Sequence, residues 1–129
     1  MPPSDPLLVV VANYDFSLEA TRLKAGFAPH APTVLIDGSS PTPPANADSV
    51  IPNTGYTGLW NAAVQRAIEA HAEWLLFIAS DVTVTDHRQL IAFAREAMAN
   101  DRIGVYAPSV APGSRCAYQA CFNRLTATV

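Results

Sequence analysis

Polar residues follow each of three apolar runs in this sequence, and they are the residues best placed to do chemistry. Asn13-Tyr14-Asp15 follows the first run, Asp37-Gly38-Ser39-Ser40 the second and Ala79-Ser80-Asp81 the third. If the runs are parallel strands, their carboxyl ends meet at one edge of a sheet, where open α/β sheets bind ligands. Asp, Asn, Gly and Ser are also ordinary turn residues, so turn chemistry explains each residue taken singly.

Asp81 is the most informative of these residues. It ends an apolar run and is followed by the β-branched segment 82–84. A carboxylate at a strand end is a natural ligand for Mg²⁺ or Mn²⁺, which often need only one or two protein carboxylates beside phosphate oxygens. The alternative is that Asp81 caps nearby backbone N–H groups.

Several other chemistries lack their residues. No Gly-x-Gly-x-x-Gly follows a predicted strand, and no Walker A segment is present. His30, His71 and His87 lie in unrelated contexts, which argues against a Ser–His–Asp triad or a zinc site. Cys116 and Cys121 lack a Cys-x-x-Cys spacing, so we expect free thiols in a reducing compartment.

Length and composition predict one domain. The chain has 129 residues, of which 50% are hydrophobic and 15% charged, with a formal net charge of −3. Such a composition excludes a disordered protein. The negative charge argues against binding to nucleic acid or to anionic membranes. With no apolar run near the roughly 20 residues of a membrane span, and no basic signal-peptide start, we expect a soluble, cytoplasmic protein.

Apolar runs alternate with helix-like segments, a pattern typical of a βαβ protein with a parallel sheet. Strands are predicted at residues 7–12, 32–36, 49–52, 74–78 and 103–107. Helices are predicted from Ser17 to about Ala25, with Gly26 ending the first, over 57–70, and from a capping Asp86 to about Asn100.

Two of these helices carry apolar residues at the spacing of one face. We expect the buried face of the second helix to comprise Leu59, Ala62, Ala63, Ala67 and Ile68. We expect the buried face of the third to comprise Leu90, Phe93, Ala94, Ala97 and Met98.

Four segments occur in an order and spacing that a known family shares. They are Val9-Val10-Val11-Ala12-Asn13-Tyr14, Val34-Leu35-Ile36-Asp37-Gly38-Ser39-Ser40, Asn53-Thr54-Gly55-Tyr56-Thr57-Gly58-Leu59-Trp60-Asn61 and Phe77-Ile78-Ala79-Ser80-Asp81-Val82. Together they resemble the inverting family 2 glycosyltransferases of GT-A fold. The third is similar to that family's Asn-x-Gly-(x)5-Asn segment, and the fourth to the strand ending in its Asp-x-Asp metal motif.

The resemblance covers residues 6–110 and implies a single Rossmann-like GT-A domain over residues 1–129. Its mostly parallel sheet would be flanked by helices and truncated relative to the full family domain, with 111–129 as an irregular tail. The implied nucleotide-sugar site comprises Ala12, Asn13, Tyr14, Asp37, Ser39, Asn53, Gly55 and Asn61. Within it, Asp37 would accept a hydrogen bond from the base, typically the uracil of a UDP-sugar. Asp81 would hold Mg²⁺ or Mn²⁺ on the donor diphosphate, neutralising that leaving group.

The sequence departs from the family pattern at two positions. Ala79 replaces the first Asp of the metal motif, which weakens the expected metal site, and Leu59 stands where a small residue is usual. Arg115 or Arg124 could also contact a diphosphate as a positive charge.

The general base is the larger departure. Inverting transfer needs a group that deprotonates the acceptor hydroxyl, and the family supplies an acidic residue after the metal motif. No Asp or Glu follows Asp101 here. The resemblance therefore implies the donor-binding half alone, with no catalytic residue assigned. Asp86 is a weak candidate base because helix capping already explains it.

Three functions stay open at this stage. The first is a glycosyltransferase that binds a nucleotide-diphosphate sugar and transfers the sugar to an unknown acceptor. The second is a non-catalytic nucleotide-sugar-binding or accessory subunit, with a homodimer or partner chain formed through an exposed sheet edge. The third is a flavodoxin-like module whose strand-end aspartates bind phosphate-linked ligands.

Overall fold

A computed structural model describes residues 5–106 and 120–123. The strands are β1 Leu7–Asn13, β2 Thr33–Asp37, β3 Ser49–Val50, β4 Trp74–Ala79, β5 Val105–Tyr106 and β6 Ala120–Asn123. The helices are α1 Ser17–Phe27, α2 Gly55–Glu69 and α3 His87–Met98. This arrangement confirms the predicted α/β class.

The strands form one six-stranded sheet in the order β3-β2-β1-β4-β6-β5. The first four of these run parallel to one another. β6 is antiparallel to both β4 and β5. The parallel sheet flanked by helices is therefore confirmed and is compatible with a Rossmann-like fold.

β6 corrects the prediction of an irregular tail at residues 120–123, and the rest of the predicted tail, 111–119 and 124–129, lies outside the described residues. The strand is only four residues long, and its backbone pairs with β4, where Trp74 lies opposite Asn123. A strand of four residues is too short to show a clear alternation of apolar and polar residues, so the sequence pattern did not reveal it.

The central strands are apolar because the sheet is covered on both faces. Every residue of β1 is buried. Alternate residues of β1 point to opposite faces: Leu7, Val9 and Val11 pack in a core with α1 and α3, whereas Leu8 and Val10 pack in a second core with α2. The chain therefore has a helix–sheet–helix arrangement.

The buried faces of α2 and α3 differ partly from the predicted ones. On α2, Leu59, Ala63 and Ala67 are buried, but Ile68 is 38% exposed. On α3, Ile91 is buried, as are Ala94 and Ala97, whereas Phe93 is 45% exposed. The apolar residues of α3 cover more than one side, and packing against α1 and the sheet decides which side is buried.

The ends of α1 also differ from the prediction. Phe16 occupies the N-cap position without a side-chain cap, and Ser17 is the first helical residue. Gly26 lies inside α1 instead of ending it. A Cβ at Gly26 would lie 2.4 Å from Nε2 of His87, so this glycine makes room for a neighbouring side chain.

The predicted cap of α3 is confirmed. Asp86 is the N-cap residue, and its Oδ1 accepts a hydrogen bond from the backbone N–H of Gln89 at 2.9 Å. A carboxylate at this position satisfies one of the unpaired N–H groups of the first turn.

Candidate functional site at the carboxyl edge of the sheet

The order of strands reverses between β1 and β4. The chain builds the sheet outward from β1 through β2 to β3 and then adds β4 on the other side of β1. The helices of the two crossovers, α1 and α2, lie on opposite faces. In open α/β sheets the crevice outside the carboxyl ends of the strands at such a reversal is the usual ligand site.

At the carboxyl edge of the sheet, polar residues are buried and large apolar residues are exposed, which is the reverse of the usual distribution in a protein. The buried polar residues of the described chain all lie at this edge: Asn13, Asp37, Ser40 and Ser80. Seven large hydrophobic residues are exposed in the part of the chain that the structure describes, and five of them also lie there: Tyr14, Phe16, Leu18, Val50 and Tyr56. Buried polar groups and clustered exposed apolar groups are the informative exceptions to ordinary burial, and here they coincide.

A buried hydrogen-bond network joins the ends of β1 and β2. The side-chain amide of Asn13 donates to Oδ1 of Asp37 at 2.8 Å. Ser40 donates twice to Asp37, from its hydroxyl to Oδ1 at 2.6 Å and from its backbone N–H to Oδ2 at 2.9 Å. The backbone N–H of Asp15 donates to Oγ of Ser40 at 2.8 Å. The network therefore holds the two loops together.

Asp37, which was predicted to accept a hydrogen bond from a base, lies inside this network. Its side chain has no exposed surface, and both carboxylate oxygens accept hydrogen bonds from the chain. Contact with a base would require Ser40 to move away, so that role stays a prediction. In this conformation Asp37 positions the loops beside it.

Asn13 likewise acts through its neighbours. It is fully buried, and its Oδ1 accepts a hydrogen bond from the backbone N–H of Phe16 at 3.1 Å. The bond fixes the turn that presents Tyr14, whose side chain is 46% exposed. Ala12, the third residue predicted here, is buried in β1.

Two residues beside the network have left-handed backbone conformations. The φ angles are 62° at Asp15 and 63° at Ser39. Both residues are exposed, and Oγ of Ser39 donates to the carbonyl of Ile51 at 2.6 Å. Residues other than glycine rarely adopt this conformation, and such local strain concentrates at ligand-binding and catalytic sites.

The predicted wall residues lie at the start of α2. Oδ1 of Asn53 accepts a hydrogen bond from the backbone N–H of Gly55 at 3.2 Å. Gly55 has a φ of 78°, which favours glycine at this turn. Asn61 is exposed further along α2. Leu59 is buried in the core, so it does not stand in the open part of the edge.

Sequence reasoning missed an aromatic cluster beside this wall. The ring of Trp60 stacks on that of Phe77, with centroids 3.9 Å apart and an interplanar angle of 7°. Tyr56 meets Phe77 edge-on at 5.7 Å and is 48% exposed. The available signal was a pair of aromatic residues four apart, at 56 and 60, although the predicted helix began only at residue 57.

The end of β4 brings Asp81 to the same edge. The backbone N–H of Ser80 donates to the carbonyl of Ala12 at 2.9 Å, which joins the ends of β1 and β4. Asp81 follows and is exposed. Ala79, before it, offers no side-chain ligand.

These residues could bind only a metal ion that takes most of its ligands from the bound diphosphate and from water. Within residues 5–106 and 120–123, no three His, Cys, Asp or Glu side chains are grouped to hold an ion. One carboxylate suits Mg²⁺ or Mn²⁺ only if the diphosphate and water supply the other oxygen ligands. Arg115 and Arg124, the predicted diphosphate contacts, lie outside the described residues.

The opposite edge of the sheet has a different character. A cavity of about 320 Å³ lies there, lined by Leu8, Val34, Arg66, Glu69 and Ala70. Arg66 and Glu69 bring opposite charges to its lining, so these two side chains give the lining no net charge.

No protein-family model, curated protein or solved structure matches this chain. No helix among residues 5–106 is long and apolar enough to cross a membrane. The chain is an α/β protein whose carboxyl edge combines buried polar groups, backbone strain and exposed aromatic rings.

Proposed function

We propose that this chain binds a nucleotide-diphosphate sugar, with Mg²⁺ or Mn²⁺, at the carboxyl edge of β1, β2 and β4, and that it takes part in inverting sugar transfer. The reversal of polarity at this edge is the observation that carries the proposal. Folding alone does not require buried polar groups, and large exposed aromatic rings are ready to contact a base or a sugar.

The edge offers a separate group for each part of such a ligand. The exposed ring of Tyr14 gives the base and ribose an apolar surface. Ser39 and Asn53, both exposed, provide polar atoms beside it. Asn13 and Asp37 support this surface from below through their buried hydrogen bonds.

Asp81 is the group we assign to the diphosphate end of the ligand. It lies beyond β4, across the strand-order reversal from the Asn13–Asp37 network. A bound Mg²⁺ or Mn²⁺ would neutralise charge on the departing diphosphate. Asp81 would hold and orient that ion.

A non-catalytic binding role is the second candidate, favoured by the state of the carboxylates. Asp37 is enclosed by its hydrogen bonds, and Asp86 caps α3. Neither is placed to deprotonate an acceptor. Under this proposal the chain binds the donor as a sensor or accessory subunit, alone or as a homodimer.

Calorimetric titration with UDP, GDP and their common sugar derivatives, with and without Mn²⁺, tests the binding site. We expect metal-dependent binding by the wild type and at least about tenfold weaker binding by Asp81→Asn. Asp101→Asn is the matched control, since Asp101 is also exposed but follows α3 at the other edge; we expect it to bind as the wild type does.

The outcomes separate the parts of the proposal. Failure of every nucleotide to bind would refute it. Equal binding by Asp81→Asn and Asp101→Asn would remove Asp81 from the metal site. If a nucleotide sugar binds, release of free nucleoside diphosphate over time supports transfer or hydrolysis, and tight binding without release supports the non-catalytic role.

A further inference from the structure

His87 packs between α3 and α1. Its ring meets that of Phe27 edge-on, with centroids 4.7 Å apart and an interplanar angle of 77°. It also lies against the backbone of Gly26, where an added Cβ would be 2.4 Å from Nε2. The imidazole therefore fills a space on α1 that exists because residue 26 has no side chain.

The buried nitrogen of this ring has no partner among the described residues. Nε2 of His87 is inaccessible to solvent and makes no hydrogen bond. A neutral imidazole tolerates this, because one of its nitrogens carries no proton. An imidazolium must donate from both nitrogens, and a buried donor without an acceptor is costly.

The groups around His87 do not compensate for a positive charge. From α1, Gly26 and Phe27 bring no charge, and the turn after α1 brings a second imidazole, His30. Among the described residues, the carboxylate that acts on His87 is that of Asp86, which already caps the helix. Burial first, and then His30, hold the pKa of His87 below its ordinary value of 6.5, while Asp86 opposes them.

We propose that His87 is a pH-sensitive fastening between α3 and α1, and that its protonation expels the imidazole from α1 and loosens the first turn of α3. The segment between β4 and α3, which contains Asp81, ends at this turn. Asp81 would then bind a metal–diphosphate group more weakly in acid. This effect on ligand binding, unlike the loosening of α3, rests on the proposed function.

The sign of the effect follows from proton linkage. The unfolded chain takes up a proton at residue 87 near pH 6.5, whereas the folded chain resists it. The unfolded state therefore binds more protons as the pH falls through that value, and the stability of the fold decreases. The loss continues until the pH reaches the lower pKa of the folded state.

Thermal unfolding at about pH 7.5 and about pH 5.5 tests this inference. We compare the wild type with His87→Leu, which removes the titrating group, and with His71→Asn, a control at an exposed histidine. We expect acid to lower the Tm of the wild type and of His71→Asn more than that of His87→Leu, by up to about 4 °C. Equal losses in all three proteins would overturn the proposal.

Two measurements on the wild type keep the test decisive if His87→Leu folds poorly. In an NMR titration, we expect the His87 imidazole to titrate below the ordinary value of 6.5; titration at or above that value would overturn the proposal. In hydrogen exchange corrected for the intrinsic rate, amides 90–94 of α3 should lose more protection in acid than amides 63–67 of α2. Equal losses would indicate that α3 is not specifically released.

None of these measurements uses a nucleotide, so the fastening and the proposed function fail separately. Absence of nucleotide binding at both pH values would refute only the function. Nucleotide affinity that stays the same in acid, despite release of α3, would refute only the link between His87 and the site.

Discussion

The two edges of the sheet differ in kind. At the amino edge the strands begin with buried apolar residues such as Leu7 and Trp74. An ion pair closes this edge, with the Arg95 guanidinium donating to the two Asp5 carboxylate oxygens at 3.0 and 2.8 Å. At the carboxyl edge the buried side chains include Asn13 and Asp37. The amino edge therefore buries apolar residues, as a protein core usually does, whereas the carboxyl edge buries polar residues, which a core usually excludes.

This difference indicates that the carboxyl edge, unlike the amino edge, is not built mainly for stability. A buried polar network is a weak source of stability, because its hydrogen bonds largely replace those made to water. A conformation that strains Asp15 and Ser39 lowers stability further. Features that break local rules without a stability gain are the ones expected at a functional site.

The largest expected effect comes from removing the acceptor at the centre of the network. Asp37→Ala removes the carboxylate that accepts hydrogen bonds from the Asn13 amide and from the hydroxyl and backbone N–H of Ser40, and leaves the buried Ser40 N–H without an acceptor. We expect the free energy of unfolding in urea to fall by about 3 kcal/mol. Asp101→Ala, at an exposed aspartate, should change it by less than about 0.5 kcal/mol. Similar small changes in both variants would mean that the network does not support the fold.

A smaller effect is expected from loosening the tie between the two loops. Ser40→Ala removes the acceptor of the Asp15 N–H and one donor to Asp37, at a cost of about 1.5 kcal/mol in unfolding free energy. Ser49→Ala, in the short strand β3, is the control and should cost less than about 0.5 kcal/mol. If Ser40→Ala leaves nucleotide affinity unchanged, the loop positions it holds do not matter for binding.

Backbone strain allows a direct comparison of the edges. Asp15 has a φ of 62° at the carboxyl edge, and His71 has a φ of 54° in the turn that leads into β4 at the amino edge. We expect Asp15→Gly and His71→Gly each to raise the free energy of unfolding by up to about 1 kcal/mol. Only Asp15→Gly should weaken nucleotide binding in the calorimeter. Equal effects on binding would show that the strain at Asp15 has no special role.

The smallest effect is expected at the amino edge. Arg95→Gln removes the partner of Asp5, and we expect a loss of about 0.5 kcal/mol at neutral pH, since solvent screens this half-exposed pair. The hydrogen bond from Arg95 holds the pKa of Asp5 below its ordinary 3.8. The stability from this pair is therefore present above pH 3.8 and lost as acid protonates Asp5.

Urea unfolding of the wild type and Arg95→Gln at neutral pH and at about pH 3 checks this sign. The difference between the two proteins should shrink in acid. A constant difference would mean that Arg95 stabilises the chain by packing and not through its charge.

Most elements could be predicted because their causes are local. The apolar run of β1 and the capping Asp86 of α3 identify themselves within a few residues. The prediction that Gly26 ends α1 is wrong, because glycine is needed there to leave room for the side chain of His87. His87 lies 61 residues further along the chain, so no local pattern reveals this contact. The buried side of α3 was misplaced at Phe93 because packing, and not periodicity, selected Ile91.

The sequence predicted where in the fold the candidate site lies, but not which side chains contact one another within it. Asn13, Ser39 and Asp81 were expected at the carboxyl edge, and the structure places them there. The sequence did not reveal that the Asp37 carboxylate faces inward, or that Tyr56 joins Trp60 and Phe77 in one aromatic cluster.

The sequence by itself determined the α/β class, the two buried central strands and the edge at which polar residues collect, because each depends on the order of apolar and polar residues over short stretches. Only the tertiary structure decided which of those polar groups bond to one another. Asn13 meets Asp37 and Ser40 across separations of 24 and 27 residues, and β6 meets β4 from the far end of the chain. Such contacts depend on how the sheet is assembled, which no local pattern encodes.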